Sequence, residues 1–264
     1  MSDDLAERAR SFGSIAEDYE RWRPGVDPAV AEWFVPDPIG RAVDVGAGTG
    51  KLARLLVGRA AEVVCVEPDE RMRAVLARSV PEATVLEGAG EHIPVEDASA
   101  DAVLISSAWH WMNHAATAAE VARVLRPGGT LGVVWSGVDW TSEWFREVRA
   151  RVEADQTARP SGVITALVDR ASTDDNTHVL ELPTDAPFSA PERRWVSWDL
   201  PMSADELVGL LGTVSGVIVL PEDRRRAVIA EVRDALRTYG DLDGDATVSL
   251  PFRADCWRAR RTGG

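Results

Sequence analysis

The segment Val43-Asp44-Val45-Gly46-Ala47-Gly48-Thr49-Gly50 constrains this chain most. A short apolar run, 41–45, leads into three glycines at alternate positions, and a helical pattern follows at 52–57. A strand that turns into a helix over glycines is a ligand-binding corner of an α/β sheet. Glycines allow the tight turn and let a ligand approach the backbone closely. The start of the helix presents free N–H groups and a favourable dipole.

The rest of the chain repeats that alternation. Apolar runs at 62–66, 83–86, 102–105 and 129–135 are interleaved with helical patterns at 69–78 and 115–125. Further strands are expected at 195–198 and 246–252, and further helices at 140–154, 204–211 and 222–237. The stretch 157–176 has no clear pattern. At the N-terminus, 5–22 has helical spacing with a break at Phe12-Gly13-Ser14, and 28–35 forms a second short helix. The expected fold is α/β: a Rossmann-like, seven-stranded, mostly parallel sheet with helices on both faces. We expect a single domain. Residues 1–36 form a helical arm and 37–135 the cofactor-binding core. Residues 136–200 form a cap or insert, and 201–264 supply C-terminal helices and the last strand.

Charge limits the partners. The 264 residues include 43 acidic and 29 basic side chains, a formal net charge of −14. Phosphate backbones and anionic membranes bind Lys/Arg-rich surfaces, so neither nucleic acid nor membrane is expected as a partner. Cys65 and Cys256 lie far apart without metal-ligand spacing, which fits a reduced, cytoplasmic setting and no metal. The acidic start, Met1-Ser2-Asp3-Asp4, does not read as a secretion signal. The longest apolar run, 207–220, falls short of the ~20 residues that span a bilayer.

Glu67 narrows the ligand. It ends the second apolar run, 21 positions after Gly46, and precedes Pro68. A carboxylate at that strand end can accept both hydroxyls of a ribose. The glycines run G-x-G-x-G, whereas the dinucleotide fingerprint is G-x-G-x-x-G.

The motif from Asp44 to Gly50 resembles the first motif of class I S-adenosylmethionine methyltransferases. Other segments match that family in order. Val66-Glu67-Pro68 resembles its ribose-binding strand end, and Glu87-Gly88-Ala89-Gly90-Glu91-His92-Ile93-Pro94 its adenine-bordering loop. Asp101-Ala102-Val103-Leu104 resembles its fourth strand. Ala108-Trp109-His110-Trp111 resembles a segment of its small-molecule subgroup, the type 11 and trans-aconitate methyltransferase-like enzymes. Leu125-Arg126-Pro127-Gly128-Gly129 resembles the turn before strand five. Phe12, Tyr19 and Arg23-Pro24 resemble the arm that closes over the methionine end. The match covers roughly 10–135 and, more loosely, 248–260.

The resemblance implies an S-adenosylmethionine-dependent methyltransferase acting on a small molecule. It implies cofactor contacts from Asp44, Gly46, Ala47, Gly48, Gly50, Glu67 and Pro68. Gly90 and Glu91 would border the adenine, and Tyr19, Arg23 and Ser107 the methionine end. Two departures stand out: Ala89 replaces a common Asp, and Ser107 replaces a Gln. The acceptor atom is expected to be oxygen, in a carboxylate or a hydroxyl. A hydroxyl benefits from a general base, for which His110 is the candidate. Trp109, Trp111 and His114 are candidate substrate contacts at the carboxyl edge of the sheet. Seven of the ten tryptophans lie between 109 and 198, which fits either an aromatic pocket or an aromatic core. Two other functions share these features: a nicotinamide-dependent Rossmann oxidoreductase and a non-catalytic S-adenosylmethionine-binding regulator.

Overall fold

Contiguous apolar runs form strands that are covered on both faces. The computed structural model describes residues 12–154 and 178–263. Its strands are β1 (Ile39–Val45), β2 (Ala60–Val66), β3 (Thr84–Leu86), β4 (Ala100–Ser106), β5 (Leu125–Val138), β6 (Glu192–Ser203) and β7 (Thr247–Arg260). They form one seven-stranded sheet in the order β3-β2-β1-β4-β5-β7-β6. The first five strands are parallel, and β7 runs antiparallel between β5 and β6. This is the Rossmann-like, mostly parallel sheet expected from the sequence.

Alternate residues of the central strands feed two separate cores. Ala42 and Leu104 pack with Phe34, Leu52, Leu56 and Leu76 on one face. Val43, Val45, Val103 and Ile105 pack with Ile93, Trp109 and Val121 on the other. The helices over these faces are α1 (Ala16–Trp22), α2 (Pro28–Phe34), α3 (Ala53–Leu56), α4 (Glu70–Ser79) and α5 (His114–Val124). Side chains fix where the last two begin. Asp69 accepts from the amides of Arg71 and Met72, and Asn113 from that of Ala116. Such caps satisfy donors that a helix start leaves free.

The second half departs from the expected plan. The segment expected as one insert, 136–200, is divided. β5 runs on to Val138, α6 (Glu143–Ala154) follows, and the end of the segment joins β6. β6 pairs along the length of β7, from Glu192↔Arg258 to Ser203↔Thr247, as a sheet edge. The last strand continues to Arg260, eight residues beyond its expected end. Its later half alternates charged and small residues, which hides an apolar run from a reading by hydropathy. Over the carboxyl edge of the sheet, residues 136–141 are joined by α7 (Ala204–Gly212) and α8 (Ser215–Ile218), with α9 (Glu222–Tyr239) behind them. Leu207, Leu211, Leu236, Leu250 and Phe252 form a third core there. Ser203 and Glu206 form a capping box that starts α7. The expected N-terminal break is a single 3-10 turn, Phe12–Ile15, leading into α1. The patternless stretch 157–176 and residues 5–11 of the first expected helix lie outside the described residues. Among the described residues, no helix is long and apolar enough to cross a membrane.

Candidate active site

The glycine corner is built from backbone. Gly46, Gly48 and Gly50 have φ of +67°, +57° and +90°, a region that side chains with a Cβ rarely adopt. The amides of Gly46 and Ala47 both donate to the Val66 carbonyl, at 2.8 and 3.2 Å, so the turn is tied to the end of β2. A Cβ on Gly48 would meet nothing within 4 Å, leaving that side of the turn open.

Glu67 faces this opening and is 7% exposed. One carboxylate oxygen accepts from the Gly48 amide at 2.9 Å, and the other from the Asp69 amide at 3.0 Å. Each oxygen is thus oriented and keeps a lone pair for a ligand hydroxyl. Burial raises its pKa, and the two amides oppose that rise. The Pro68 carbonyl accepts from Arg73 at 2.8 Å, which fixes the turn after Glu67. Asp44 lies below the glycines, fully buried, and neither of its oxygens meets a donor in good geometry, the Ala53 amide being the nearest help. Burial, opposed by the Ala53 amide and reinforced by Glu67 as a second acidic neighbour, pushes its pKa up to about 7. A buried carboxylate so poorly supplied with donors is a costly group that a bound ligand or water can complete.

The adenine-side loop is crowded. A Cβ on Gly90 would lie 2.5 Å from the Met112 sulfur and 2.8 Å from the Thr117 hydroxyl. Glu91 is turned away toward α5 and accepts from the Asn113 amide at 2.6 Å. Ser107 has a φ of +52°, and its amide donates to the Val134 carbonyl at 2.7 Å. That bond locks the end of β4 to β5 beside a cavity.

The cavity has a volume of about 310 Å³ and lies over the carboxyl edge, beneath the arm and α7. Tyr19, Arg23, Ser107, His110, Trp111 and Trp135 are among its walls. Trp109 and Trp111 separate on their shared 3-10 turn. Trp111 lines the cavity, whereas Trp109 is 1% exposed in the core. His114 stacks on Trp109 at 5.1 Å and is not a cavity wall.

Trp135 organises the floor. Its ring stacks on His178 at 4.7 Å, and its Nε1 donates to His110 Nδ1 at 3.1 Å. An indole N–H can only donate, so the imidazole nitrogen that it meets carries no proton. Desolvation by the surrounding pocket walls, then repulsion from His178 and His114, push the His110 pKa down to about 4, although the residue is exposed toward the cavity. The ring is therefore neutral at physiological pH, with its proton on Nε2. The roof is tied down from both chain ends. Arg23 donates through Nε to the Thr213 hydroxyl at 2.9 Å and through a terminal nitrogen to the Thr213 carbonyl at 3.1 Å. Phe12 packs edge-on against Trp111 at 6.1 Å.

Comparison with known proteins agrees with this corner. A methyltransferase domain model matches residues 43–133. An uncharacterized methyltransferase of Mycobacterium tuberculosis is 37% identical over 249 residues, covering 94% of this chain and 95% of the relative. The chain belongs to the class I S-adenosylmethionine-dependent methyltransferases. Two solved structures share the fold of this methyltransferase. An Anaeromyxobacter dehalogenans protein assigned to the type II methyltransferases has a TM-score of 0.62 at 24% identity, over 92% of this chain and 99% of its own. Haemonchus contortus phosphoethanolamine N-methyltransferase 2 was solved with phosphomonomethylethanolamine and S-adenosylhomocysteine. It has a TM-score of 0.51 at 16% identity, over 98% of this chain and 60% of its own. S-adenosylmethionine is the cofactor, and the buried orphan Asp44, the oriented Glu67 and the open side of Gly48 fit it.

Sequence reading of this methyltransferase missed several pocket residues: Gly137, Thr213 and Arg253 as walls or clasps, and Trp135 as the partner of His110. Only the β7 alternation Arg253, Asp255, Trp257 carried a signal, since large charged or aromatic residues at every second position, set against Ala254 and Cys256, mark one face of a strand.

Proposed function

We propose that this enzyme methylates a carboxylate oxygen of a small molecule held in the aromatic cavity. The hydrogen bond from Trp135 to His110 carries this reading. With Nδ1 occupied and a pKa near 4, His110 presents an N–H donor to the cavity and no free lone pair. A donor can bind and orient an ionised oxygen but cannot take a proton from a hydroxyl. A carboxylate is already ionised at neutral pH, so it needs no base.

Bound S-adenosylmethionine supplies a methyl group activated by the sulfonium charge. The protein positions and desolvates the reactants. In this reading Glu67 holds the ribose hydroxyls, and Gly46, Ala47, Gly48 and Gly50 provide the close backbone. Asp44 takes the ammonium end. Pro68 and Gly90 shape the adenosine side, with Glu91 bracing its loop. Tyr19, Arg23 and Ser107 border the methionine end. Trp111 lines the acceptor's place, while Trp109 and His114 support it from the core. The two cysteines are buried free thiols, which supports a cytoplasmic setting.

The test is a panel of small acids with matched alcohols and amines, incubated with enzyme and cofactor and read by mass spectrometry. Methyl esters are expected. Ethers or methylated amines, without esters, would overturn the reading.

A further inference from the structure

We infer that the acceptor pocket contains an anion-binding subsite built on Arg253, and that the methyl acceptor carries a compact oxyanion, a carboxylate or a phosphate, remote from the oxygen that is methylated. This rests on the cavity being the acceptor site of the methyltransferase. Arg253 lies on the cavity wall, in the middle strand of the antiparallel part of the sheet. Among the described residues it makes no ion pair and donates no side-chain hydrogen bond. That is unexpected for a half-buried guanidinium in a chain whose acidic residues exceed its basic ones by 14.

The nearby carboxylates are already engaged. Asp255, two residues along the same face, is 2% exposed and is gripped by Arg193 through two bonds of 2.8 and 2.9 Å. Asp139 is turned into its own loop, where it accepts from the amide and hydroxyl of Thr141 at 3.0 and 2.7 Å. The charge of Arg253 is left facing the cavity.

The surroundings are shaped to keep it there. Its guanidinium lies 4.3 Å from the centre of the Trp195 ring, a stacking contact that holds the plane and leaves the N–H edge available. Its strand neighbours are small, Gly137 on β5 and Ser197 on β6. A Cβ on Gly137 would meet nothing within 4 Å, so an open recess lies beside Arg253. A planar fork with free N–H groups suits a carboxylate or a phosphate, which it binds through two parallel hydrogen bonds.

Position separates this subsite from the reacting end. The Val134 carbonyl is locked to the Ser107 amide, and Gly137 is three residues further along β5. At ~3.3 Å per residue the backbone at Arg253 lies ~10 Å beyond that level. Trp111, Trp135 and Trp195 line the cavity with them. The acceptor class is thus an elongated molecule with an apolar or aromatic body, a reacting oxygen at one end and an anion at the other.

The test uses the full-length protein loaded with S-adenosylhomocysteine. It is titrated by calorimetry with 3-phenylpropanoate, indole-3-acetate and phenyl phosphate, each against its neutral amide or alcohol counterpart. The variants are Arg253→Met, which keeps the packing on Trp195, and Arg253→Lys, which keeps the charge. We expect at least one anion to bind the wild type about 10-fold or more tightly than its neutral partner. Arg253→Met should erase that preference and Arg253→Lys retain part of it, with S-adenosylhomocysteine affinity unchanged in both. The better of the carboxylate and phosphate arms identifies the anion. No anion preference in the wild type, or a preference that survives Arg253→Met, overturns the subsite. So does loss of S-adenosylhomocysteine affinity in a folded Arg253→Met protein, which would assign the residue to the cofactor. Failure of the wild type to bind S-adenosylhomocysteine would instead count against the cofactor reading.

Discussion

The two halves of the proposed active site are made from different materials. The cofactor half is backbone: three glycines in left-handed conformations and Glu67 fixed by two amides. Its central contact, Gly48 to Glu67, spans 19 positions. The acceptor half is side chains: rings stacked on rings, and a clasp between Arg23 and Thr213 that spans 190 positions. Backbone geometry tolerates few replacements and reads one ligand. A wall of side chains from separate segments can be repacked for a different acceptor while the cofactor half stays as it is.

Four substitutions sharpen that contrast, beginning with the largest expected effect. Glu67→Ala removes the carboxylate proposed to hold the ribose and leaves the amides of Gly48 and Asp69 unpaired. S-adenosylhomocysteine affinity should fall about 100-fold by calorimetry, roughly 2.7 kcal/mol. A loss below threefold would mean that the cofactor half does not depend on this carboxylate.

Asp44→Asn acts on the empty protein. The folded pKa of Asp44 is raised to about 7 from an ordinary 3.8, so the folded state holds a proton that the unfolded state releases. This contribution to stability is present below about pH 4 and is lost as pH rises toward 7 and above. The neutral amide should stabilise the apo-protein at pH 8, by about 4 kcal/mol at most, and not at pH 4. Denaturant titration at both pH values checks the sign, and equal effects at the two would refute the assignment.

Trp135→Phe keeps the stack on His178 and deletes the donor to His110. The imidazole is then free to place its proton on either nitrogen. We expect kcat/KM to drop about 10-fold, roughly 1.4 kcal/mol, with cofactor affinity within twofold. The wild-type pH profile should show no limb from His110 between pH 6 and 9, since the group that titrates near 4 is neutral throughout. A limb near 6.5 that vanishes in His110→Gln would instead make it a base.

Thr213→Val is the mildest. It removes the hydroxyl that meets Arg23 Nε and keeps the carbonyl contact. The hydroxyl's own bond to the Leu210 carbonyl is lost with it, and the acceptor KM should rise about threefold. No change in KM would show that the clasp does not shape the acceptor half.

The legibility of the sequence follows the same division. The corner from Asp44 to Gly50 and the acid at Glu67 are local, and glycine spacing announces them. The sheet is legible through its apolar runs, because strands buried on both faces are apolar throughout. The acceptor half is not. Trp109 and Trp111 look alike in sequence, yet one is core and the other pocket wall, decided by which way a short 3-10 turn presents each ring. Arg253 reads as one more arginine among 29 basic residues until strand pairing sets it beside Gly137 and Arg193 takes up Asp255. A strand is legible at 195–198, but its full span, 192–203, and its place at the sheet edge are not, because its outer positions are charged or polar.

The clasp between Arg23 and Thr213 also bears on the order in which the molecule assembles. Closing a loop of 190 residues costs more entropy than closing one of 19, and the contact is gained only after the intervening sheet has formed. The nucleoside corner should therefore mature early and the roof late. In a denaturant series the roof should open first, so that methyl transfer is extinguished while the parallel sheet still protects its amides from hydrogen exchange.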